Sequence, residues 1–113
     1  EAALVVMRPD RTCEEVEAAW RAAIARHGLG KESRCGYSIG LSYPPDWGER
    51  TASIRSEDET VLEPGMVVSV ESYIGEVSAA DGVKLEEEVL VTDTGIEKLS
   101  RYPFDEALLG REF

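Results

Sequence analysis

The chain has 113 residues, enough for one domain or part of a larger one. Hydrophobic residues make up 42% and charged residues 31%, an ordinary globular composition that argues against disorder, collagen and coiled coil. No run approaches the ~20 apolar residues of a membrane span, and a net charge of −11 repels phosphate backbones and anionic lipid, so nucleic-acid and membrane-surface roles are set aside.

In chain order, Glu1 to Met7 reads as a helix already in progress, which Arg8-Pro9-Asp10 then breaks. This abrupt start carries the expectation that the chain is truncated upstream. Thr12-Cys13-Glu14-Glu15 fits a capping box, and apolar residues at Cys13, Val16, Trp20, Ala23, Ile24 and His27 keep the helical period. The spacing predicts a helix over about 13–27, with Glu17 and Arg21 as an i,i+4 pair and Gly28 ending it. Cys35 to Leu41 suits a short strand with glycines at Gly36 and Gly40. Tyr43 to Glu49, with two prolines, reads as a stiff loop.

The last third is strand-like. Leu62-Glu63-Pro64-Gly65 predicts a turn, and Met66 to Ile74 a strand. Gly75 to Gly82 is a connection rich in small residues. Val83 to Thr92 alternates with period two, Asp93-Thr94-Gly95 turns, and Ile96 to Leu99 forms a last short strand. The expected fold class is α+β, an antiparallel sheet covered by a helix.

Few residues can carry chemistry. Cys13 and Cys35 make neither a disulfide framework nor a zinc pattern, so a reducing cytoplasm is the default. A single histidine, His27, argues against a Ser-His-Asp site. Glu71 interrupts an otherwise uncharged strand, where a carboxylate must reach water, find a partner or be functional. Alternation puts Lys84, Glu86 and Glu88 on one face and Leu85, Glu87 and Val89 on the other. The plainer reading of both glutamates is a solvated sheet face. The sharper one is a pair of carboxylates that binds a metal or shares acid–base work.

Three segments now carry a resemblance. Thr60 to Glu71 resembles the segment that ends in a functional glutamate in pita-bread hydrolases, the family of creatinase, aminopeptidase P, prolidase and methionine aminopeptidase. Glu86 to Gly95 resembles that family's last motif, in which the first glutamate is functional. Gly36-Tyr37-Ser38-Ile39-Gly40-Leu41 resembles its glycine-flanked histidine strand, with Tyr37 at the histidine position. Tyr37 to Glu49 looks most like ectoine hydrolase and neighbouring Xaa-Pro-dipeptidase-like members, and Tyr102-Pro103-Phe104 resembles the close of creatinase-type chains.

The resemblance implies that residues 1–113 are the C-terminal half of a pita-bread catalytic domain. The complete protein would be a cytoplasmic, homodimeric hydrolase of amide or C–N bonds in a small molecule or dipeptide, with ectoine-like ring opening first. It implies Glu71 as nucleophile or base, Glu86 as orienting or second proton-handling group, and Tyr37 as hydrogen-bond donor to an oxyanion. Tyr43, Asp46, Trp47 and Glu49 would shape the substrate site. No cofactor is expected for this chain. If the alternative holds, an Xaa-Pro dipeptidase or aminopeptidase with an altered metal site, Glu71 and Glu86 would hold part of a Mn, Co or Zn pair. A third alternative is a non-catalytic, truncated or degenerate member. The resemblance also implies that Glu71 and Glu86 converge, that like charge raises the pKa of one of them, and that the face left for the missing half is unusually apolar.

Overall fold

The computed structural model describes residues 1–31, 33–40, 52–75 and 82–105. Two helices, α1 (Ala2–Val6) and α2 (Cys13–Ala25), precede four strands, β1 (Gly36–Ile39), β2 (Val67–Gly75), β3 (Gly82–Val91) and β4 (Ile96–Lys98). The strands form one antiparallel sheet in the order β1-β2-β3-β4. The α+β expectation holds, and the two long strands β2 and β3 are paired neighbours.

Helix α2 begins where its capping box predicts. The Thr12 hydroxyl accepts from the Glu15 N–H, and the Glu15 carboxylate accepts from the Thr12 N–H. The Glu15 carboxyl is thereby held below its usual value, first by that Thr12 N–H and then by Arg11. At the other end the Leu29 N–H reaches the Ile24 carbonyl and the Gly28 N–H the Ala25 carbonyl, with Gly28 at φ 71°. That is a Schellman closure, which favours glycine because a Cβ is disfavoured at positive φ. His27 lies beyond the helix and is exposed, so it does not belong to the apolar stripe.

One core joins the helices to one sheet face. Val16, Trp20 and Ile24 pack with Val68, Val89 and Val91, and Leu4 and Met7 of the first segment close the cluster. The Trp20 indole N–H donates to the Ser72 hydroxyl at 3.0 Å, tying α2 to β2. The expected Glu17–Arg21 pair forms, but it is more buried than a surface i,i+4 pair. Glu17 is 3% exposed and also accepts from the Ser56 hydroxyl. Helical spacing shows that two side chains are neighbours, but the cover over Glu17 comes from residues 39 positions away.

Register divides the sheet into two faces. Ser72, Ile74, Leu85, Glu87 and Val89 share the helix-covered face, while Ser69, Glu71, Tyr73, Lys84, Glu86 and Glu88 share the other. Tyr37 pairs with Ser69 and joins that second face. By the same register Ile39, Val67, Leu90 and the half-exposed Tyr73 also belong to the second face, which mixes apolar with ionic and hydroxyl side chains. The exposed apolar residues Val83 and Leu85 lie on the helix-side face.

The β1–β2 junction has no spare room. A Cβ on Gly36 would lie 2.5 Å from the Ser69 carbonyl oxygen and 2.8 Å from Ile54 Cδ1. Gly36→Ala should therefore cost about 1–3 kcal/mol through forced backbone shifts. Gly95→Ala, with nothing within 4 Å of the added carbon, should be close to neutral. Urea unfolding of both variants checks this; equal midpoints would contradict it.

Candidate active site on the open sheet face

Glu71 on β2 is the register partner of Glu86 on β3. Directly opposed residues of an antiparallel pair point to the same face, with Cβ atoms about 4.5–5.5 Å apart. Two carboxylates so placed repel each other, and the structure supplies the compensation. The Lys84 ammonium contacts Glu71 Oε2 and lies 3.4 Å from Glu86 Oε2. The Ser69 hydroxyl donates to Glu86 Oε1 at 2.5 Å. The expected convergence is thus present, and it takes place on one cation.

The charge states follow. Glu86 is held below the usual carboxylate range, chiefly by the Ser69 hydrogen bond, against partial desolvation, with Lys84 adding to the effect. At Glu86 the hydroxyl donor and the ammonium together outweigh desolvation. Lys84 is shifted up, first by its hydrogen bond to Glu71 and against desolvation. The Glu71 side chain is 15% exposed and that of Glu86 44%, so Glu71 is the more enclosed of the pair.

Tyr37 takes the third position on this face, two residues along β1 from Ile39 and beside Ser69. The Arg34 guanidinium lies 4.7 Å from its ring centroid, a cation–π contact that fixes the ring's plane. Tyr43, Asp46, Trp47 and Glu49 lie outside the described residues. Cys13 and Cys35 are free and buried. Burial, with Asp58 adding, pushes the Cys13 thiol up to about 11, and burial, with Glu17 adding, pushes Cys35 up to about 12. Neither supplies a thiolate nucleophile near neutral pH.

Lys84 and Ser69 are site members that the motif reading leaves out. The signal lies in the period of two, since each stands two residues before one of the glutamates and therefore on its face. Among the described residues no group of three or more His, Cys, Asp or Glu side chains gathers as a metal cradle.

Comparison with known proteins agrees with this geometry. The profile described as metallopeptidase family M24 matches residues 1–93. The chain is 48% identical over 103 residues to the hydrolase/peptidase y4tM of Sinorhizobium fredii, covering 91% of this chain and 26% of that protein. It is 41% identical over 105 residues to the ectoine hydrolase of Halomonas elongata, again covering 91% of this chain and 26% of the relative. The prolidase from Pyrococcus furiosus superposes with a TM-score of 0.79 at 30% identity, over 90% of this chain and 29% of that one. The chain thus spans about a quarter of the length of these curated relatives.

The ion cluster has a pH signature. A raised Lys84 contributes fully below the unfolded value near 10.4 and is lost as pH climbs through its higher folded value. A lowered Glu86 contributes fully above about 4.3 and is lost as pH falls through its lower folded value. Wild-type stability from this cluster should be flat between those limits. Lys84→Met should cost no more than about 1 kcal/mol near neutrality, because the lysine is half-exposed and screened. The deficit should shrink toward about pH 4 as protonation relieves the unpaired carboxylates. Urea midpoints across pH test this; a deficit that grows in acid would contradict it.

Proposed function

The chain belongs to metallopeptidase family M24, and we propose that it is one half of the catalytic domain of a hydrolase of amide or other C–N bonds, ectoine-like ring opening being its first candidate reaction. One observation carries the reading: Glu71 and Glu86 are brought opposite each other on an open sheet face, compensated by Lys84 and Ser69, with Tyr37 alongside.

The roles follow from the environments. Glu71, the more enclosed carboxylate, acts either as nucleophile on the carbon to be released from nitrogen or as base toward water. In the second route Glu71 takes a proton from water, the hydroxyl adds to the carbon, the C–N bond breaks, and the proton passes to the departing nitrogen. Glu86, kept ionised by Ser69 and Lys84, suits orientation better than proton donation. The Tyr37 hydroxyl donates to the oxygen on which charge develops. Tyr43, Asp46, Trp47 and Glu49 are proposed to shape the substrate site.

The family's name raises a metal, and a specific observation favours the second reading, an Xaa-Pro peptidase: the backbone match to a prolidase. That reading needs a Mn, Co or Zn pair, of which Glu71 and Glu86 would be ligands. Residues 1–113, about a quarter of the relatives' length, supply two carboxylates toward such a pair. Tight zinc or hard-cation sites draw on at least three protein ligands, whereas these two carboxylates already share an ammonium. A cytoplasmic location agrees with two free cysteines. Among the described residues no helix is long and apolar enough to cross a membrane. We propose that the complete protein is a homodimer.

Turnover of ectoine and of an Xaa-Pro dipeptide should be measured for the 113-residue chain and for the protein extended upstream. The extended protein should open ectoine, and the short chain should be far slower, since a preorganised site needs every contacting group held. Glu71→Gln should lower kcat on the order of 10²–10⁴-fold. Equal turnover by the two forms would overturn the half-domain reading. Full activity in Glu71→Gln would overturn the assignment of Glu71.

A further inference from the structure

An apolar groove of about 620 Å³ runs between the helices and the underside of the β2–β3 hairpin, with Trp20, Ile24, Leu29, Ile74, Leu85 and Phe104 in its walls. It lies on the helix-side face, behind the face that carries Glu71 and Glu86. Trp20 and Ile24 are buried at its floor, but Leu85 is 36% and Phe104 38% exposed. Apolar surface left open in a groove marks a place where another segment or molecule packs.

The route of the chain leads into this groove. After β4 the Leu99 N–H donates to the Glu88 carbonyl at 2.8 Å, and the Ser100 hydroxyl accepts from the Glu88 N–H at 2.8 Å. Residues 99 and 100 thus continue antiparallel to β3, toward its Gly82 end, and Phe104 is then set in the groove wall. Residues 106–113 lie outside the described residues. Their sequence, Glu106-Ala107-Leu108-Leu109-Gly110-Arg111-Glu112-Phe113, carries large apolar side chains at Leu108, Leu109 and Phe113. From Glu88 to Val83, which is also exposed on this face, β3 covers about 17 Å. Eight residues exceed that length when extended.

Charge selects this segment over a second copy of the chain. At the groove's rim the Lys98 ammonium lies 3.8 Å from a Glu1 carboxylate oxygen and 3.4 Å from one of Glu87. Two carboxylates there share one ammonium, and Arg111 brings a second cation. Two whole chains, each of net charge −11, repel one another.

We propose that residues 106–113 are the occupant of this groove, with Leu108, Leu109 and Phe113 against its apolar wall and Arg111 at the Glu1–Glu87 rim. The segment is a strap behind the β2–β3 hairpin, and it braces from the back the two strands that carry Glu71 and Glu86 on the front. The proposal is independent of the hydrolase reading.

The test is nuclear Overhauser contacts in the intact 113-residue chain, together with ANS fluorescence of that chain, of a form ending at Asp105 and of Leu108→Asp/Leu109→Asp. Side-chain protons of Leu108, Leu109 or Phe113 should contact those of Trp20, Ile74 or Leu85. In a mixture of labelled and unlabelled chains these contacts should remain intramolecular. Both variants should bind ANS on the order of three- to tenfold more strongly than the intact chain, with unchanged far-UV circular dichroism. If either variant fails to fold, the contacts in the intact chain decide. Absence of those contacts would overturn the proposal. Contacts found only between chains would overturn it in favour of a second copy. Equal ANS binding by the intact and shortened chains would overturn it and leave the groove to the remainder of the complete protein.

Discussion

The open face is organised by one constraint, the register of β2 against β3. Because Glu71 is opposite Glu86 and side chains alternate with period two, both carboxylates must project to the same side at short range. That arrangement is unfavourable by itself, and each neighbour on the face reads as an answer to it. Lys84, two residues before Glu86, supplies a shared positive charge. Ser69, two residues before Glu71, gives Glu86 a donor. A shift of the register by one residue would turn one carboxylate into the helix-covered core, where burying it unpaired is prohibitive.

The same alternation separates stability from chemistry. Val68, Val89 and Val91 pack under Val16, Trp20 and Ile24, so helix and sheet hold each other on one side only. The other side is left free to carry charge. A pair of carboxylates with an internal ammonium differs in kind from a metal cradle, even where the backbone follows that of a prolidase. The ammonium balances one negative charge and brings no open coordination position.

Much of this was legible in the residues. The capping box at Thr12, the glycine after α2 and the pairing of β2 with β3 are local patterns, and each appears where the pattern places it. Glu71 and Glu86 were legible as a pair because two segments match family motifs in order. Lys84 was legible as sharing the face of Glu86. Its bridging role was not, because that depends on a side chain reaching diagonally across two strands. The burial of Glu17 under Ser56 and the backbone bonds of Cys35 and Gly36 to Ile54 likewise come from contacts between segments far apart in sequence.

The most direct measurement is a calorimetric titration of the 113-residue chain with Mn(II), Co(II) and Zn(II), alongside its Glu71→Gln variant. If Lys84 serves as the counter-cation of the carboxylate pair, neither protein binds any of these ions stoichiometrically and tightly. A tight site holding one or two ions per chain, lost in Glu71→Gln, would show that a metal takes the place between Glu71 and Glu86 and would contradict the account.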